Sequence, residues 1–143
     1  MATVRTAAAH WEGSLMEGAG TVELASSKLA TFDVTWASRT ESPEGRTSPE
    51  ELIAAAHATC FSMSLSHALA QAGTPPTMID TTADVTFQAG QGITGIALRI
   101  RGSVPGITAE QFAEAAEGAK VNCPVSQALT GTTITLSAEF VEA

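Results

Sequence analysis

The segment 52–79 contains no Asp, Glu, Lys or Arg, and it constrains the fold more than any other part of the chain. Its start carries strong helix signals, since Ser48 can act as the N-cap, Pro49 occupies the first helical position and Glu51 completes a capping box. Gly73, with two prolines shortly after it, is expected to end the helix. The pattern predicts one long helix with little polar surface.

The composition favours a single soluble domain over residues 1–143. Hydrophobic residues make up 44% of the chain, which is long enough for one core but not for two. Two histidines and four hydroxyl residues make the long helix too polar for lipid, so a buried core helix is favoured over a membrane span. A net charge of −8 with only seven basic residues argues against a nucleic-acid partner.

No apolar run follows Arg5 near the beginning of the sequence, which predicts that there is no secretory signal. Two cysteines in such a chain indicate a reducing cytoplasm, where a thiol pair is packed, metal-binding or redox-active. We therefore expect a cytoplasmic protein.

The remaining sequence patterns predict an α+β fold. Phe32, Val34 and Trp36 alternate on one face of a strand that Arg39 directly follows. Strands are predicted over 6–13, 20–27, 32–38, 80–90, 94–104 and 132–143, further helices over 107–120 and 124–129, and a loop over 39–47. The string GQGITG at 90–95 matches the dinucleotide fingerprint, but a strand follows it where the fingerprint requires a helix, so we interpret it as a hairpin turn.

Cys60 lies about three turns inside the long helix, and two interpretations of it stay open. Free cysteine often behaves as a small buried hydrophobe, so packing alone would explain it. If Cys60 is reactive, the helix dipole is too distant to lower its pKa, and the cation must come from elsewhere, with Arg39 and Arg46 nearest the helix entrance. Glu50 could hold such an arginine or could interact with the helix N-terminus.

The second cysteine, Cys123, precedes Pro124 at the expected start of a short helix. Amide groups at a helix start stabilise a thiolate, which suits a cysteine that attacks or leaves. Besides a packing role, these residues allow three functions. One is a metal site on His57, Cys60 and Cys123, although no close second pair of ligands accompanies them. The others are a hydrolase with His57 as the base for Cys60, and a thiol redox sensor without turnover.

A family resemblance is carried by SPEELIAAAHATCFSMSL and NCPVSQAL, with HWEG, IDTTADV and VPGI around them. These strings resemble the family of osmotically inducible protein C (OsmC) and the organic hydroperoxide resistance proteins (Ohr). The OsmC branch is the closer one, because the candidate Arg39 follows the third strand. The resemblance implies antiparallel sheets wrapped around a long buried central helix, in an intertwined homodimer.

The same resemblance implies a peroxidase for organic hydroperoxides, and for hydrogen peroxide as well. Cys60 would attack the peroxide, Cys123 would form a disulfide with it, and Arg39 and Glu50 would activate the attacking thiol. An external dithiol would reduce the disulfide, and no metal or cofactor is implied. The family commonly has Gly-Thr-Asn-Pro-Glu before the helix, whereas this chain has Arg-Thr-Ser-Pro-Glu, so Arg46 adds a charge that could compete with Arg39 for Glu50.

The spacing of Glu50 and Cys60 raises a geometric problem, because ten residues of straight helix rise about 15 Å. One arginine cannot reach both side chains over that distance. Either the helix bends or the site combines residues of two chains. The uncharged helix fits burial at a dimer core, and burial inside one domain explains it equally well.

Overall fold

The computed structural model describes residues 1–142, which form six strands and four helices in the order β-β-β-α-α-β-β-α-α-β. The strands are β1 (Ala8–Glu12), β2 (Ala19–Glu23), β3 (Thr31–Val34), β4 (Met78–Gln88), β5 (Gly92–Ser103) and β6 (Ile134–Phe140). The helices are α1 (Trp36–Thr40), α2 (Pro49–Gln71), α3 (Ala109–Asn122) and α4 (Pro124–Ala128). The predicted α+β class is confirmed. The last residue of the strand predicted over 132–143 lies outside the described residues.

The chain divides into two compact units, one formed by Met1–Leu52 and one beginning at Ile53. Each unit carries its own three-stranded sheet, with the orders β1-β2-β3 and β4-β5-β6. The single domain expected over 1–143 stays a prediction.

In the first unit, an antiparallel sheet ends earlier than the sequence pattern predicts. β3 stops at Val34, and the predicted continuation through Trp36 is wrong, because α1 begins there. Thr35 caps this helix: its hydroxyl accepts from the Ser38 amide, and the Ser38 hydroxyl accepts from the Thr35 amide, each at 3.0 Å. Two satisfied amides stabilise the helical turn over the extended strand. Arg39 therefore lies on a helix and does not directly follow a strand.

The chain then returns to the end of β3 through the predicted loop, whose turn contains Gly45 at a φ of 81°. Thr47 forms a parallel bridge with Val34, and its amide donates to the Asp33 carbonyl at 3.0 Å. The Ser38 hydroxyl donates to the Thr47 carbonyl at 2.9 Å. These bonds fix α1 against the segment that leads into α2.

Helix α2 starts as the sequence predicts and ends two residues before Gly73. The Ser48 hydroxyl accepts from the Glu51 amide at 3.2 Å, which is one half of the expected capping box. The Glu51 carboxylate accepts from the Thr47 hydroxyl at 2.6 Å, so it ties the helix to the preceding loop. At the other end, Gly73 has a φ of 84°, the left-handed conformation in which glycine commonly ends a helix.

The second unit contains a sheet with one antiparallel and one parallel pair of strands. β4 and β5 form the predicted hairpin, and residues 89–91 make the turn that GQGITG was interpreted to form. β6 pairs with β5 in parallel, with Ile96 opposite Ile134, whereas antiparallel sheets were expected. The parallel pair needs a crossover connection, and α3 and α4 supply it.

A hydrophobic core fills the second unit and includes one stripe of α2. Phe61, Leu65 and Leu69 follow one another at intervals of four residues and are at most 3% exposed. They pack with residues of β5 and α3 in one cluster: Ile96, Leu98, Ile100, Val104, Phe112, Ala116, Ala119 and Cys123. By length and composition α2 would also suit a membrane, but the structure uses this stripe as the core of the unit.

The opposite face of α2 is not buried in a single chain. Met63 is 68% exposed, and Ala55, Ala56 and Thr59 are exposed as well. The uncharged composition suggested burial on nearly all sides, and within one chain that expectation is wrong. The core of the second unit takes one stripe of the helix and leaves the other in solvent.

Gly102 and Gly95 provide a matched pair of tests of this packing, because both lie on β5. A Cβ atom at Gly102 would lie 2.6 Å from the buried Phe112 ring, which also packs against Phe140, whereas one at Gly95 would meet nothing closer than 3.6 Å. Overpacking in Gly102→Ala is expected to lower the free energy of unfolding by about 1–3 kcal/mol. Urea denaturation measures this loss, and Gly95→Ala should show no comparable loss. Equal effects at both positions would contradict this account of the core.

Candidate active site

The first cluster of candidate residues is an ion pair between Arg39 and Glu50. Arg39 Nε donates to both carboxylate oxygens of Glu50, at 2.8 and 3.1 Å, and Nη2 lies 2.7 Å from Oε1. The Glu50 side chain is 8% exposed and the Arg39 side chain 29%, so the carboxylate is buried and the guanidinium partly reaches solvent. Of the two arginines near the helix entrance, Arg39 is therefore the one that holds Glu50, while Arg46 is exposed.

Neighbouring groups fix the orientation of the guanidinium. The Trp36 ring lies under it, with Arg39 Cζ 5.8 Å from the ring centroid, a distance at which a cation is attracted to an aromatic face. Ser38 is buried and bonds to the Thr47 carbonyl, so both ends of the ion pair are attached to one hydrogen-bonded loop. The ordered loop holds the guanidinium in a defined plane.

An apolar cavity of about 270 Å³ opens beside this ion pair within the first unit. Arg39 contributes a charge to a lining that is otherwise mostly hydrocarbon and aromatic, formed by Ala9, Trp11, Leu15, Val22, Val34, Thr35, Trp36, Pro49 and Leu52. Such a cavity suits a ligand with an apolar body and one polar group.

The second cluster contains both cysteines, which lie next to each other as free thiols. Cys60 is half-buried on α2, and Cys123 is fully buried at the junction of α3 and α4. The Cys123 thiol and the Val125 backbone amide, in the first turn of α4, are near enough to Cys60 to act on the pKa of its thiol. Two residues 63 positions apart in sequence thus meet in one site.

Burial raises the pKa of the Cys60 thiol above its ordinary value. The Val125 amide acts in the opposite direction because it stabilises the thiolate, while Cys123 raises the pKa further through its hydrogen bond and its charge. The surroundings that the second unit provides therefore favour the neutral thiol.

His57 and Ser126 form a third contact that sequence reasoning missed. His57 Nε2 and Ser126 Oγ are 2.7 Å apart, and both residues are buried. The hydrogen bond of His57 thus goes to Ser126, which leaves the hydrolase alternative without the required contact to Cys60. Within residues 1–142, no three His, Cys, Asp or Glu side chains lie together in a way that could hold a metal ion, so the geometry does not assemble the alternative site on His57, Cys60 and Cys123 either.

Comparison with known proteins assigns this chain to a family. The family model described as OsmC-like protein matches residues 42–137. Peroxiredoxin OsmC of Escherichia coli K12 is 51% identical over 124 residues, which cover 85% of this chain and 86% of the relative. A protein of the same name from Shigella flexneri matches to the same extent.

Solved structures agree on the fold. An organic hydroperoxide resistance protein OsmC from Legionella pneumophila is similar with a TM-score of 0.71 at 22% identity, covering 96% of this chain and 99% of that one. The organic hydroperoxide resistance protein OhrB of Bacillus subtilis gives a TM-score of 0.65 at 21% identity, covering 95% and 98%. The fold is that of the OsmC and Ohr proteins. The chain belongs to the OsmC family, as its cysteine motifs suggested.

The buried imidazole gives the stability of the protein a defined pH dependence. Burial lowers the pKa of His57 below its ordinary value of 6.5, so the unfolded chain binds a proton that the folded chain does not. The free energy of unfolding should therefore fall as the pH drops below about 6.5, by at most about 1.4 kcal/mol per pH unit for this one group.

Denaturation at a series of pH values measures that slope, and His57→Gln should reduce it. His67→Gln is the matched control, because His67 lies exposed on the same helix. An unchanged slope in His57→Gln would show that the imidazole titrates alike in the folded and unfolded chains.

Proposed function

We propose that the protein is a thiol peroxidase that reduces organic hydroperoxides, with Cys60 as the attacking thiol and Cys123 as the resolving thiol. Membership of the OsmC family and the identity to peroxiredoxins support a peroxide-reducing enzyme. The neighbouring positions of the two free thiols are the observation that carries the cysteine mechanism. A disulfide can form only between cysteines that the fold brings together in this way.

In the proposed reaction the hydroperoxide oxidises the two cysteines to a disulfide in two steps. The Cys60 thiolate attacks the terminal oxygen of the hydroperoxide, the O–O bond breaks, and an alkoxide leaves and takes up a proton to become the alcohol. Cys60 is now a sulfenic acid. The Cys123 thiol attacks its sulfur, and the hydroxyl leaves as water with the thiol proton while the disulfide forms. A dithiol then returns both cysteines to the reduced state by exchange.

Arg39 and Glu50 supply the charge that the first step needs. Because burial favours the neutral thiol of Cys60, a guanidinium beside the sulfur stabilises the thiolate and then the departing alkoxide. Glu50 keeps the guanidinium aimed through contacts from both Nε and Nη2. The same charge attracts the polar end of the hydroperoxide.

The apolar cavity beside Arg39 supports the choice of organic hydroperoxides as substrates. Its lining offers hydrocarbon and aromatic surface to an alkyl or aryl group, while Arg39 lies at its edge as the partner for the peroxide oxygens. Hydrogen peroxide can bind to Arg39 through its oxygens, but it has no alkyl or aryl group to place against the apolar lining. We therefore infer that it is a weaker substrate.

We also propose that the active form is a homodimer whose sites combine Cys60 of one protomer with Arg39 of the other. In a single chain, large apolar side chains stay exposed in both units: Trp11, Leu15, Met16, Leu29, Phe32, Met63 and Val121. Surface of this kind is typical of protein interfaces. The rise of about 15 Å that ten helical residues produce between Glu50 and Cys60 also favours a guanidinium from a second chain. Free thiols that cycle with a dithiol suit the cytoplasm, where we place the protein.

The first prediction for this mechanism concerns the mass of the chain. One equivalent of an organic hydroperoxide added to the reduced protein should lower the intact mass by about two daltons, because both thiol hydrogens are lost in the disulfide. Cys123→Ser should instead stop at the sulfenic acid, which a dimedone-type reagent traps. Consumption of excess hydroperoxide with a dithiol present separates an enzyme from a sensor. An unchanged mass with two titratable thiols would refute the proposed mechanism.

A second prediction concerns the shared site. Arg39→Ala and Cys60→Ser are each expected to be inactive alone, but their mixed dimers should recover about a quarter of the wild-type activity, since half of the dimers are mixed and each contains one intact site. Refolding the two variants together and assaying with the organic hydroperoxide measures this recovery. Mass spectrometry of the intact complex verifies that mixed dimers form. Mixed dimers without activity would place Arg39 and Cys60 of one site in the same chain.

A further inference from the structure

Helix α2 and the start of α4 each carry two of the residues discussed above, with the same spacing in both places. His57 and Cys60 are three positions apart on α2, and Cys123 and Ser126 are three positions apart at α4. The structure places Cys60 beside Cys123 and joins His57 to Ser126 by a hydrogen bond of 2.7 Å. The two cysteines are thus neighbours at a place where α2 is bonded to α4.

The hydrogen bond between His57 and Ser126 is buried, so its loss would leave two polar groups unsatisfied. His57 is 0% exposed and Ser126 is 3% exposed, so neither side chain can replace its partner with water. Within the described residues, His57 Nδ1 is buried and has no hydrogen-bond partner, so the bond from Nε2 to Ser126 is the one that the structure gives this imidazole. A buried polar group with a single bond has a strong preference for the geometry that keeps it.

Helix α4 is five residues long, and its N-cap residue Cys123 makes no side-chain capping bond. A helix this short is not stable by itself and takes its orientation from tertiary contacts. Those contacts include the packing of Val125 and Leu129 against the core and the hydrogen bond of Ser126. The Cys123 thiol and the Val125 amide, which act on Cys60, lie at the N-cap and in the first turn of this helix.

We propose that His57 and Ser126 are positioning residues for the resolving step, and that their hydrogen bond holds α4 so that Cys123 faces Cys60 while Cys60 is a sulfenic acid. This inference rests on the proposed function. Condensation needs the Cys123 sulfur in line with the S–O bond that breaks. The competing reaction, in which a second hydroperoxide oxidises the sulfenic acid to the sulfinic acid and becomes an alcohol, needs no contribution from α4.

The two reactions of the sulfenic acid provide the test. Reduced protein is treated with increasing amounts of an organic hydroperoxide, and intact mass gives the ratio of disulfide, at about −2 Da, to sulfinic acid, at about +32 Da. Ser126→Ala is expected to shift this ratio about tenfold towards the sulfinic acid. His57→Gln, whose amide can still bond to Ser126, should stay near the wild-type ratio, while His57→Leu should behave like Ser126→Ala.

The matched control is Ser62→Ala, which removes a hydroxyl of the same helix that lies 2.6 Å from the Thr81 hydroxyl on β4. It takes away a bond of similar length from α2 without touching α4, so its ratio should stay at the wild-type value. A wild-type ratio in Ser126→Ala, or an equal shift in Ser62→Ala, would overturn the positioning role. If Ser126→Ala does not fold, a tenfold shift in His57→Gln overturns it instead. Failure of the wild-type protein to form the disulfide refutes the proposed function itself, and the two failures are thus distinguishable.

Discussion

In the proposed mechanism, the thiol of Cys60 ionises in surroundings that oppose ionisation. Its helix contributes the central stripe of a hydrophobic core, and burial raises the pKa of this thiol. A charge acts more strongly in such surroundings than in water. The elements around Cys60 bring a few polar groups towards this apolar position.

Two such devices are built from different parts of the chain. The first unit assembles a rigid cation, in which a capped single-turn helix carries Arg39 and the start of α2 carries Glu50. The second unit holds both thiols and a backbone amide near α4, which in the proposed mechanism carry the sulfur chemistry. Keeping the cation and the thiol on separate elements allows each to be oriented by its own hydrogen bonds. In the proposed dimer, subunit association brings the two together.

Much of this arrangement was predictable from local patterns. Ser48, Pro49 and Glu51 marked the start of α2, and alternating apolar residues marked the strands, because such signals depend on neighbouring residues only. Helix α1 was missed because Phe32, Val34 and Trp36 keep the period of a strand, while the competing capping bond of Thr35 needs only a serine three residues on. The usual box has Glu or Gln there, so Thr-x-x-Ser gave a weak signal.

The missed long-range features have a different cause. Nothing near His57 in sequence identifies Ser126 as its partner, and nothing in β6 identifies β5 as a parallel neighbour. Such pairings depend on how the whole chain closes, and side-chain periodicity carries no information about them. The spacing His57-x-x-Cys60 was visible as a shared helix face and recurs as Cys123-x-x-Ser126, but the spacing within each helix does not say that the two helices meet.

The parallel pairing of β5 with β6 has a consequence for the newly made chain. Cys123 lies in the crossover between these strands, so its place is defined only after the thirty-residue segment 104–133 has closed back onto the sheet. Non-local closure of this kind is slow compared with helix formation. Synthesis from the N-terminus also completes Cys60 well before Cys123 exists. In the proposed cycle, Cys60 therefore has no resolving thiol during synthesis and early folding. Its thiol is most sensitive to overoxidation in that period.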